Sequence, residues 1–212
     1  NGMKRLIASI LTVILLSMCF FSDTKTAAAD NVQKVKIEEL TEDEYVEAVA
    51  QYTGKPESEI KNMLLARETG AYAETGPRPD ETRRYRATTS LDFTDGTDIH
   101  TPVELGMAYT VRYINNYAQI DSVDAYWTGI TGSGNCEWNE YYKSRTDSGF
   151  PETEIEAHAR GSVQITIDAG APGQAEIKDQ LIDCGFASVG GPVGTVYYLS
   201  KADNLDLYVD IY

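Results

Sequence analysis

Two hydrophobic periods divide this chain. From about Leu40 to Gly70 apolar residues recur at helical spacing: Tyr45, Val46, Val49 and Tyr52 form one stripe, and Ile60, Met63 and Leu64 begin another. Thr41-Glu42-Asp43-Glu44 has the form of a capping box, in which the threonine hydroxyl and the Glu44 carboxylate each satisfy a free N–H of the first turn. Gly54 supplies a left-handed stop, and Pro56 with Glu57 and Glu59 opens a second helix where the helix dipole favours proline and anions. Residues 69–82, with Pro77, Pro79 and two glycines, read as a linker.

Beyond the linker the period changes from 3.6 to 2. Tyr85, Ala87, Leu91 and Phe93 alternate with polar residues, and Val103, Leu105, Met107, Tyr109, Val111 and Tyr113 do so again. Val123–Ile130 and Cys136–Lys143 flank Thr131-Gly132-Ser133-Gly134-Asn135, a hairpin signal. The clearest strand runs from Ile155 to Ile167, with every odd position small or apolar and every even one polar, so one face is dry and the other wet. Gln174–Asp183 carries Ile177 and Leu181 at helical spacing, and Thr195–Ser200 and Leu205–Ile211 close the chain as strands separated by Lys201–Asn204. The predicted class is α+β, mostly β: a short N-terminal helix pair (30–68), the linker (69–82), then a β-domain (83–212). That domain is an antiparallel β-sandwich or curled antiparallel sheet of about seven strands with one short helix.

The first 29 residues have a different character. Lys4 and Arg5 precede an uncharged run from Leu6 to Phe21, and Ala27-Ala28-Ala29 follows a short polar stretch. That order is the order of a secretory signal peptide starting at Met3. The apolar run is shorter than the roughly 20 residues a spanning helix needs, and Met18 is too large to sit just before the cysteine of a lipobox at Cys19. Removal of Lys4, Arg5 and Lys25 against Asp23 takes the formal charge of −15 to −17. Cys136 and Cys184 then remain as one pair, expected as a disulfide in an exported chain, with two separate buried thiols as the alternative; closing a loop of roughly 48 residues contributes about 4 kcal/mol in the chain-entropy account.

Charge excludes some functions. Thirty-three acidic against 18 basic residues leave nothing to neutralise phosphates, which excludes nucleic acid and anionic membrane surfaces as electrostatic partners. Ten acidic against five basic residues within 30–70 likewise reject a DNA-binding reading of the helix pair. No G-x-S-x-G, H-E-x-x-H or phosphate-binding glycine loop is present. Two histidines cannot assemble a His-rich metal site. Asp92, Asp95 and Asp98 surround the Asp95-Gly96 turn and offer oxygen ligands to calcium, although Asp-Gly is also simply a good turn former.

Glu156, His158 and Arg160 project from the polar face of the long strand as a candidate ligand-binding strip; the ordinary reading is the solvent face of a half-exposed strand. Trp138 and Tyr126 are candidate platforms for sugar rings, against core or cross-strand packing of Trp138 and Tyr142. Glu137 and Glu140 have opposite strand parity, which counts against them as the facing pair of a glycoside hydrolase.

The order of signal, acidic capped helices and β-domain resembles small exported Gram-positive bacterial proteins of unassigned function. The resemblance rests on Thr41–Ile60 (TEDEYVEAVAQYTGKPESEI) and on Ala159-Arg160-Gly161-Ser162. It implies export and domain order, and no functional residues. The expected function is that of a secreted, non-catalytic binding module for an extracellular ligand such as a cell-surface glycan. A protein-interaction factor acting through the helix pair, against a surface protein, is the alternative, ahead of a carboxylate-based hydrolase.

Overall fold

The fold comes from a computed structural model that describes residues 33–70, 81–97, 99–132, 135–146 and 149–212, with the backbone alone for Lys34 and Gly70. The expected signal peptide, the middle of the linker and Asp98 lie outside the described residues. In chain order the elements are β1 (Lys34–Leu40), α1 (Glu42–Thr53), α2 (Glu57–Gly70), β2 (Glu81–Asp92), β3 (Pro102–Ile114), β4 (Tyr117–Ile130), β5 (Cys136–Thr146), β6 (Glu154–Asp168), α3 (Gln174–Asp183), β7 (Ala187–Ser188) and β8 (Val196–Asp210). The strands form two four-stranded antiparallel sheets, ordered β1-β2-β3-β4 and β5-β6-β8-β7. One apolar core joins them. Val103, Leu105 and Met107 of the first sheet bury against Ile155, Ala157, Val163, Leu205 and Leu207 of the second, and α3 adds Ile177 and Leu181.

The capping box forms as read: Thr41 and Glu44 exchange side-chain-to-backbone hydrogen bonds, and Gly54 takes the left-handed conformation after α1. The helices pack on the first sheet. Tyr45, Val46, Val49, Ile60 and Leu64 bury against Ala108, Ala125 and Trp127, on the face of β3 and β4 turned away from the other sheet. Small residues make that approach possible. A Cβ on Gly106 would overlap the Trp127 indole, so the ring lies against bare backbone, and Tyr52 of α1 stacks on it at 3.7 Å, nearly parallel. A polar clamp completes the joint: Tyr45 Oη and Arg67 Nη1 donate to the buried Asp124 carboxylate at 2.7 and 2.6 Å, and Arg67 also reaches Ser122 Oγ. Burial, together with the Asp124 charge, pushes the Tyr45 phenol far above its ordinary range.

The strands differ from the sequence reading in four places. The segments flanking residues 131–135, expected as a hairpin, do not pair with each other: β4 bonds to β3 and β5 to β6, so the chain crosses there from one sheet to the other. β1 was not expected, yet Val35 and Ile37 alternate with charged residues there and pair with Thr89 and Ala87 of β2. The two final strands are one, because β6 spans fifteen residues and pairs with β8 along its whole length, through Lys201–Asn204. A two-residue strand, β7, pairs with β8 at Ser200 and Leu199. Further along the same edge of β8 the Gln33 side chain donates to Asn204 O and accepts from Asp206 N, at 2.9 Å each. Residues 33–212 form one contact-dense unit that holds the helix pair and both sheets.

Gly106→Ala is expected to force Trp127 off the sheet and cost about 1–3 kcal/mol. Chemical denaturation followed by tryptophan fluorescence checks this; unchanged stability and emission would show that the indole–backbone contact does not hold the helices down.

Candidate functional site

Two outward sheet faces have opposite fates. That of the first sheet is covered by α1 and α2. The polar face of β5, β6 and β8 carries no covering element among the described residues, and Tyr141, Tyr142, Tyr208 and Tyr198 stand on it at 63, 58, 46 and 39 % exposure.

Register assembles the face into rows. Tyr142 of β5 lies beside Arg160 of β6 and Asn204 of β8, and Ser144 beside His158 and Asp206. The next row holds Thr146, Glu156 and Tyr208, and at the other end Glu137 sits beside Gln164 and Ser200. The expected strip Glu156–His158–Arg160 therefore does share one exposed face. His158 Nδ1 is 2.7 Å from Asp206 and Nε2 is 3.7 Å from Glu156. The hydrogen bond to Asp206 holds its pKa above the usual histidine value, against a smaller opposing effect of burial. Tyr208 donates to Glu154 at 2.8 Å, which pushes its phenol up to about 12. Arg160 makes no ion pair among the described residues.

Trp138 and Tyr126 lie elsewhere. Trp138 turns inward opposite Val163, covers Gly161 where a Cβ would collide with its ring, meets Phe93 edge-on at 5.7 Å, and donates to Thr128 Oγ1. Tyr126 Oη donates to Ser144 O and His158 O at 2.6 and 3.0 Å, tying β4 to the second sheet. Both are structural anchors. Tyr142 was expected to pack with Trp138, with which it shares parity. A β-bulge between Glu140 and Tyr142 inserts an extra residue, reverses that parity and sends Tyr142 outward beside Arg160. Tyr141, at the bulge, reaches over the face to Ser162 Oγ at 2.5 Å. Glu137 and Glu140 fall on opposite faces, Glu140 turning inward to Thr128 Oγ1.

Cys136 and Cys184 are free thiols, in place of the expected disulfide. Cys136 opens β5 opposite Ile165, whereas Cys184 caps α3 with its Sγ 3.2 Å from Leu181 O; both pack against the core as small apolar groups. Burial pushes the Cys184 thiol up, away from reactivity. Asp92 of the candidate calcium site spends its oxygens inside the protein, accepting from Thr94 N, Thr94 Oγ1 and Thr101 N, with His100 Nδ1 at 3.0 Å. No group of three or more metal-binding side chains occurs among the described residues, and none of the described helices is long and apolar enough to cross a membrane. Comparison with protein families, with curated proteins and with solved structures gives no match.

NMR titration of His158 is expected to give a midpoint above 6.5, falling when Asp206→Asn removes the partner. Because the folded value is the raised one, the stability His158 contributes is fully present below its unfolded value and is lost as pH climbs through the folded midpoint. A midpoint that Asp206→Asn leaves in place would show that the hydrogen bond does not set it. Thiol labelling in denaturant without reductant is expected to modify both Cys136 and Cys184; failure to label would restore the bridge.

Proposed function

We propose that this protein is a secreted, non-catalytic binding module that holds an extracellular glycan on the outer face of β5, β6 and β8. One observation carries the reading: of two outward sheet faces, one is sealed by helices and the other, among the described residues, is left open with four exposed tyrosines set among amides, hydroxyls and carboxylates. Aromatic faces suit the C–H faces of sugar rings, and the polar groups between them suit hydroxyl edges. We read the two sheets with their common core as a β-sandwich and the helix pair as a cover for one side of it. Export is supported by the basic, apolar and small-residue order of residues 3–29.

A protein partner on the same face is the second reading. It is favoured by Arg160, which makes no ion pair among the described residues, standing beside exposed Tyr142, since arginine and tyrosine are enriched among residues that dominate protein interfaces. The helix pair, considered first for that role, spends Tyr45, Val46, Val49, Ile60 and Leu64 on the sheet beneath it.

The test is sedimentation of the purified protein with insoluble polysaccharides and isolated cell walls, with and without calcium. Saturable, salt-resistant retention is expected, weakened about fivefold by Tyr142→Ala through loss of about 1 kcal/mol of ring contact. Trp138→Ala is expected to lower the melting temperature through a core loss of about 3 kcal/mol. No retention on any matrix rejects the glycan reading and leaves the protein partner.

A further inference from the structure

The open face contains a cleft of about 510 Å³ lined by Asn135, Cys136, Glu137, Gln164, Thr166 and Tyr198. It lies where the Glu137–Gln164–Ser200 row meets Thr166 and Tyr198, at the end of the face away from His158. The two ends differ in how their polar groups are used. Around His158, the side chains of Asp206, Tyr208 and Glu154 bond to the imidazole or to one another. In the cleft, the side-chain amides of Asn135 and Gln164, the hydroxyls of Thr166 and Tyr198 and the Glu137 carboxylate have no side-chain hydrogen-bond partner among the described residues.

Resting on the glycan reading of this face, we propose that the cleft is a subsite for one neutral sugar residue. The lining selects that class by exclusion and by fit. Among the described residues it contains no lysine or arginine, and Glu137 stands at its rim, so a uronate, sulfated or phosphorylated sugar would meet a carboxylate with no cation to offset it. An apolar ligand would strand two carboxamides and two hydroxyls against hydrocarbon. A neutral pyranose satisfies both kinds of group. Each carboxamide offers a donor and an acceptor to vicinal hydroxyls, Glu137 accepts from a hydroxyl, and the Tyr198 ring, 39 % exposed, provides a wall for the C–H face. The volume falls within the range of small-molecule clefts, as a subsite for part of a longer chain requires.

The experiment is a two-dimensional NMR titration of the full chain with glucose, N-acetylglucosamine and cellobiose, and in parallel with glucuronate and glucosamine. Saturable shifts with at least one neutral sugar, centred on the Gln164 side-chain amide, the Tyr198 ring and the Asn135 side chain, are expected, with glucuronate giving none. Gln164→Ala and Tyr198→Ala should each weaken binding about tenfold, the loss of one or two hydrogen bonds or one ring contact. Unchanged melting temperatures must accompany these losses, and Ser200→Ala serves as the neighbouring control. Shifts confined to the Tyr142–Arg160 rows, binding only to glucuronate or only to glucosamine, or affinity unaffected by both cleft substitutions would overturn the proposal. Polymer retention that depends on Tyr142 but not on Gln164 or Tyr198 would overturn the subsite while sustaining the wider glycan reading. No retention and no shifts would remove both.

Discussion

The contact between Trp127 and the bare backbone of Gly106 settles how this protein divides its surface. The indole lies flat on β3, offers its other face to Tyr52, and so draws α1 onto the first sheet; α2 follows through Ile60, Leu64 and the Arg67–Asp124 ion pair. A stacked aromatic pair and a buried, hydrogen-bonded carboxylate would each be costly to expose, so this face is closed to ligands. Every reading of the opposite face as a working surface depends on that asymmetry.

A second tryptophan repeats the device with the opposite result. Trp138 lies over Gly161 in the other sheet, but it faces inward, meeting Phe93 across the shared core. In both cases a glycine in mid-strand marks where a large ring comes down on the chain. The same residue type thus draws a helical cover onto one sheet and helps seal the core beneath the other, and neither tryptophan stands on the open face.

What the sequence shows clearly is local. The capping box at Thr41–Glu44, the left-handed stop at Gly54 and the alternation of Ile155–Ile167 all depend on neighbours a few residues apart, and each is present. The strip Glu156–His158–Arg160 follows from that alternation alone. What the sequence hides is relational. The bulge at Tyr141 reverses the parity of Tyr142, and nothing in Glu140-Tyr141-Tyr142 announces it. Lys201–Asn204 looks like a turn but stays extended because a fifteen-residue partner runs alongside. The pairing of Cys136 with Cys184 was inferred from count and compartment, and count carries no information about where a strand start and a helix cap end up in space. The cleft residues come from three separate strands and the turn before one of them, so no spacing in the sequence groups them.

The Gln33 amide, which joins the start of the first sheet to Asn204 and Asp206, has an effect beyond that joint. Among the described residues β7 covers only two positions of β8, leaving the long C-terminal stretch of that strand at the margin of its sheet. An incoming strand would need those outward carbonyl and amide groups to start a ladder, and a side-chain amide already holds one of each. Two of the outward backbone groups that a strand from a neighbouring molecule would need are thereby already bonded within the chain, as the covered edges of natural sheets are.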